Sequence, residues 1–163
     1  MPSRPLTIEQ VLSLLAETPP RIAALTAGLA PTLLHTAPDH DEWSVNDVLA
    51  HLRACADIWG NCMVAIVVED MPTLRAVNPN TWIKSTDYRE LDFEPSLRSF
   101  ATQRANLLAI VEPLPHDGWS RGATVTGAGK VLERTVLFYA QWLARHERQH
   151  VKQVGRIVNT MRI

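Results

Sequence analysis

Residues 131–160 read VLERTVLFYAQWLARHERQHVKQVGRIVNT, and the spacing of apolar residues in this stretch decides the fold. Val136, Tyr139, Trp142, Leu143, His146, His150, Val154 and Ile157 recur at three- and four-residue intervals, the period at which side chains share one face of an α-helix. The pattern predicts a long amphipathic helix from near Val131 to about Thr160, without an obvious cap at its start. His146 and His150 fall on its inward face. With Glu147 they form a literal HExxH, but zinc proteases built on that pattern draw a third ligand from further along the chain, and the thirteen residues that follow contain no His, Asp, Glu or Cys. A third ligand has to come from upstream.

The best upstream candidate is His51. It lies in WSVNDVLAHL, residues 43–52, where Ser44 and Asp47 have the spacing of a capping box and Trp43 can staple onto Val48. The helix that opens there should run to about Asp70, with Val48, Leu52, Cys55, Trp59, Cys62 and Ile66 along the inward stripe that His51 shares. An earlier helix opens at Thr7 with Gln10 completing its box, breaks or kinks at Thr18-Pro19-Pro20, and continues to about Leu29. A helix from about Asp92 to Glu112 buries Leu97, Phe100, Leu107, Leu108 and Val111 and stops at Pro113, Pro115 and Gly118. Residues 30–43 read as a loop, residues 71–93 as a crossover long enough to travel the length of a bundle, and residues 122–129 as a short strand or hairpin at most. The expectation is an all-α four-helix bundle, with residues 1–163 forming one domain.

The 163 residues carry 16 basic and 17 acidic side chains, a balance that gives no electrostatic footprint for nucleic acid or an anionic membrane. Small-molecule partners are expected. Cys55 and Cys62 stand seven apart on one helix, about 10 Å along its axis, too far for an undistorted disulfide. Free thiols, no apolar leader at Met1-Pro2-Ser3-Arg4-Pro5 and no run of eighteen uninterrupted apolar residues lead to the expectation of a cytoplasmic protein with no membrane span.

Histidines four apart on a helix lie about 40° apart around its axis and one turn apart along it, so both rings can reach one point, and a facing helix can add a third. Imidazoles buried without partners lose hydrogen bonds to water at a cost of about 1–3 kcal/mol each, part of which a shared cation removes. His51, His146 and His150 are therefore the expected metal ligands, with Asp47 and Gln153 placed one turn away where they can orient rings. His35, His40 and His116 lie beside prolines and acids in loops and read as surface residues. Trp59, Tyr139 and Trp142 stand within one or two turns of the ligands, and aromatic residues at helical spacing read first as core.

Two of these marks together resemble the DinB-like family, also described as YfiT-like metal-dependent hydrolases. They are Trp43-Ser44 opening a helix with His51 seven residues after the serine, and a late His146-x-x-x-His150 followed by x-x-Gln153. The likeness spans essentially the whole chain. It implies up-down-down-up connectivity, a divalent metal on His51, His146 and His150, and frequent homodimers. Some relatives use low-molecular-weight thiols, as in bacillithiol S-transferases and mycothiol-dependent isomerases, so the resemblance leaves hydrolase and thiol-dependent transferase chemistry both open.

The leading expectation is thus a metal-dependent enzyme of one of those two types, with zinc or nickel as the expected ion and an open coordination position, since no cysteine is placed near the histidines. Glu147 is the candidate general base, although it projects about 100° from His146 around the helix and can equally be a solvated surface residue paired with an Arg. The alternative is a non-catalytic, stress-related bundle that binds a metal or small ligand. A zinc protease ranks below both, because no clear edge strand is present to align a peptide.

Overall fold

The computed structural model describes residues 4–162. Four long helices form the bundle: α1 (Ile8–Thr26), α3 (Val45–Val68), α5 (Phe93–Val111) and α6 (Val136–Met161). Two single helical turns, α2 (Pro31–Leu34) and α4 (Pro79–Trp82), and three short strands, β1 (Thr73–Arg75), β2 (Gly122–Thr126) and β3 (Leu132–Thr135), occupy the connections.

Local chemistry sets the starts of three long helices as a cap should. The Thr7 and Ser44 hydroxyls accept from the backbone N–H of Gln10 and Asp47, and the side chains of Gln10 and Asp47 accept in return from the caps' own N–H groups. Asp47 is thereby occupied as a cap. α6 begins five residues later than expected, because residues 132–135 pair with β2 as a strand and Thr135 then caps by accepting from the Phe138 N–H at 3.0 Å. β1 adds in parallel on the other side of β2, so the short strand expected within residues 122–129 is the centre of a three-stranded sheet, more than was expected there.

α1 is not broken at Pro19 and Pro20, one of the two outcomes expected there, but runs through them as one helix. A proline cannot donate to the carbonyl four residues back, so Pro19 leaves the Leu15 carbonyl without its helical partner. The guanidinium of Arg104, from α5, takes that place by donating to it at 2.9 Å. A partner from a neighbouring helix thus satisfies the carbonyl that Pro19 frees, and α1 ends at Thr26, just before Gly28 with its positive φ of 81°.

Contacts at the two ends give the direction of each helix. Gln141, near the start of α6, donates to the Leu6 carbonyl just before α1, and Arg121, after α5, donates to the carbonyls of Val67 and Glu69 at the end of α3. At the opposite end Arg162 reaches the carbonyls of Leu25 and Ala27, and Asn46 donates to the Arg89 carbonyl just before α5. The helices therefore run up, down, down, up. α1 and α3 sit diagonally, each flanked by α5 and α6. The crossover between α3 and α5 packs along the bundle's side, with Ile83 and Tyr88 against Ala50 and Ala54. Asp57 holds it there, accepting from Trp82 Nε1 at 3.0 Å and from the Tyr88 hydroxyl at 2.5 Å. α3 has the length and apolarity of a membrane-spanning helix. Here those properties serve burial against α5 and α6.

The core falls into two clusters. One contains Val11, Leu15, Met63, Val111, Trp119 and Leu143; the other contains Ile22, Val48, Leu52, Phe100, Val154 and Val158. Between them fall Thr18 on α1, Arg104 on α5, and His146, Glu147 and His150 on α6, while on α3 His51 and Cys55 lie within the span of the second cluster, which reaches Ala56.

Candidate metal centre

The facing helices α3 and α6 bring His51, His146 and His150 together. Ring centroids are 5.0 Å apart for His51 and His146, 4.8 Å for His51 and His150, and 4.5 Å for His146 and His150. The Nε2 atoms of His51 and His146 are 3.0 Å apart. Two nitrogens bound to one zinc tetrahedrally would be separated by about 3.3 Å at ordinary Zn–N lengths, so little movement is needed for these two to share an ion.

Cys55 joins them, against the expectation that no cysteine would be near. Its Sγ lies 3.6 Å from His51 Nε2 and 3.9 Å from His146 Nε2. Among the described residues, His51, Cys55 and His146 are the one group of three potential ligands whose donor atoms all lie within 4.8 Å of one another. The sequence contained the signal in the four-residue spacing from His51 to Cys55, the same spacing that unites His146 and His150.

Burial first, then the charges of His150 and Arg89, lower the His51 pKa to about 4; burial, then His150 and His51, lower that of His146 to about 3. Both rings are thus neutral near pH 7, the form that binds a metal. Cys55 is pushed up to about 12 by burial and then by the Glu147 charge, so without a cation it stays a thiol. His146 Nδ1 is buried without a hydrogen-bond partner, while its Nε2 is the nitrogen turned to His51 and Cys55. Imidazoles with a thiol alongside suit a borderline-soft divalent ion, so the donor set fits the expected metal.

Around the donors, His150 Nδ1 donates to the Gln153 side-chain oxygen at 2.7 Å, which leaves Nε2 as the free lone pair. Trp43 stacks on His150 with planes 11° apart, and Trp142 stacks on His146 at 12°. Trp59 lies edge-on to both Trp142 and His146. The expected core role fits Tyr139, which is 6% exposed, but not Trp142, which is 39% exposed and walls the site. A cleft of about 560 Å³ opens beside His150, lined by Asp41, Glu42, Trp43, Gln153 and Arg156 among others. His35, His40 and His116 are exposed and lie outside the site; His40 pairs with Asp39 and Asp41.

Glu147 is paired with an Arg, as one reading of it expected, but it does not lie on the surface. It is not solvated, being 0% exposed, and it does not face the histidines with a free oxygen. Arg104 grips both carboxylate oxygens, Nη1 to Oε1 at 2.6 Å and Nη2 to Oε2, and the Thr18 hydroxyl donates to Oε1 at 2.9 Å. A carboxylate held by three donors and closed to water is poorly placed to take a proton from a substrate. Arg104, absent from the sequence-based site, is the residue that decides this.

Residues 14–154 match the model of the DinB superfamily. The chain belongs to this family. Two relatives carry the description "putative metal-dependent hydrolase": one from Geobacillus thermodenitrificans, 25% identical over 90% of this chain and 82% of its own, and one from Geobacillus kaustophilus, 26% identical over 92% and 83%. The fold matches that of YfiT from Bacillus subtilis, described as a probable metal-dependent hydrolase with an unusual four-helix bundle topology. It superposes with a TM-score of 0.79 at 18% identity, covering 99% of this chain and 93% of YfiT.

Proposed function

We propose that this protein is a metal-dependent enzyme, a hydrolase or thiol-dependent transferase acting on a small molecule, with a divalent cation held by His51, His146 and His150. The observation that carries the reading is the meeting of these three rings, all within 5.0 Å of one another, across two helices that contribute ninety-five residues of separation between His51 and His146. Zinc and nickel both suit imidazole donors. When bound, such a cation supplies Lewis acidity, which acidifies water or a thiol and polarises a carbonyl.

The chain's own residues do the rest. Gln153 fixes the tautomer and orientation of His150. Trp43 and Trp142 cover ring faces and exclude water from the donors' flanks. Substrate reaches the site through the cleft beside His150, where Arg156 offers a cation and Asp41 and Glu42 offer anions. With Glu147 bound to Arg104, proton transfer falls to water or to the substrate's own groups. Partly exposed Phe138 and Trp142 on α6 support pairing of two copies, which light scattering would read as twice the chain mass.

Screening ester, amide and lactone substrates against a panel of thiol-transfer reactions, with zinc- and nickel-loaded protein, separates the two chemistries. Turnover in one panel that disappears in His51→Ala supports the reading; inactivity in both favours the second reading, a metal-binding protein without catalysis. Cys55 is the observation on that side, since a fourth protein donor closes a site.

A further inference from the structure

We infer that Cys55 is itself a donor of this centre, making it a mixed imidazole and thiolate site; the inference rests on the metal-centre reading above. The sulfur does not merely lie on the same helix. It sits 3.6 Å from His51 Nε2 and 3.9 Å from His146 Nε2, while those nitrogens are 3.0 Å from each other, so three donor atoms of the right kind form one small triangle. A buried cysteine is often only a small apolar residue. Here its neighbours are the ring nitrogens of two histidines from two helices, so the surroundings are not those of an apolar filler. Cys62, two helical turns on, provides the contrast: it is half-buried and outside the cluster.

On cation uptake the S–H bond breaks, the sulfur pair is donated to the cation and the proton leaves to solvent. With His51, His146 and His150 a thiolate makes four protein donors, so water or substrate would reach the cation only at a fifth position or in place of one donor, whereas three donors leave a position free. Cys55 therefore sets how open the centre is. It also shifts preference towards softer ions, because thiolate favours them over the hard oxygen-seeking cations.

The test is cobalt loading of the full chain, with bound metal counted and the near-ultraviolet spectrum recorded. Wild type and Cys62→Ser should each bind about one cobalt per chain and show thiolate-to-cobalt charge transfer; Cys55→Ser should keep the cobalt and lose that absorption. Cobalt bound to wild type without the charge-transfer absorption, or the absorption persisting in Cys55→Ser, overturns the role of Cys55 and leaves the histidine centre standing. Absence of bound cobalt in wild type overturns both. Should Cys55→Ser fail to fold, X-ray absorption of zinc-loaded wild type decides independently: a sulfur scatterer at about 2.3 Å is expected, and a shell of nitrogen and oxygen alone contradicts it.

Discussion

At the scale of single residues, the depressed pKa values of His51 and His146 make stability pH-dependent. The unfolded chain binds protons at the ordinary imidazole value of 6.5, while the folded rings refuse them until about 4 and about 3. Stability from these two groups is therefore complete above pH 6.5 and is lost as pH falls towards 4 and then 3. Denaturant titrations of metal-free protein at pH 7.5, 6, 5 and 4 should show the midpoint falling below pH 6.5, and His51→Ala should flatten the upper part of that fall; equal slopes in both proteins would contradict the assignment. The buried Arg104–Glu147 pair gives a second prediction. Arg104→Leu strands a buried carboxylate and should destabilise by about 3–5 kcal/mol, whereas replacing both partners with Met and Leu should recover much of the loss, as read by chemical denaturation. The nearness of the His146 and His150 rings was legible in the sequence because residues four apart on a helix share one face. The environment of Glu147 was not, since it depends on a residue from a third helix and on a carbonyl freed by Pro19.

At the scale of elements, what the sequence made plain was what local hydrogen bonding settles. Ser44 and Asp47 mark the start of α3 with an unambiguous box, and Ser44→Ala should cost about 1 kcal/mol in thermal or denaturant melts. The start of α6 was less plain because residues 132–135 satisfy their backbone across the chain, by pairing with β2, before Thr135 can cap. Pro19 and Pro20 misled for a related reason: a break is the cheapest local answer, and only Arg104, eighty-five positions beyond Pro19, makes a continuous α1 cheaper. The crossover has a similar dependence on Asp57. Asp57→Ala should raise amide hydrogen exchange across residues 79–92, where Trp82 and Tyr88 lose their acceptor, with less effect in α6. Equal exchange in both segments would mean that Asp57 holds the whole bundle and not the crossover.

At the scale of the whole molecule, two apolar clusters enclose a polar middle layer to which all four long helices contribute. One half of that layer, Thr18, Arg104 and Glu147, is satisfied internally, with donors matched to acceptors. The other half brings donor atoms of His51, Cys55 and His146 within 4.8 Å of one another, with the His150 ring beside them. The first half holds α1, α5 and α6 in register, and the second, between α3 and α6, is where a cation would be held. The most direct measurement is the metal content of protein purified without added metal, for wild type and for His51→Ala. About one divalent ion per wild-type chain and a large loss in the variant are expected; a variant that retains its metal in full would contradict the joining of α3 and α6 around one ion.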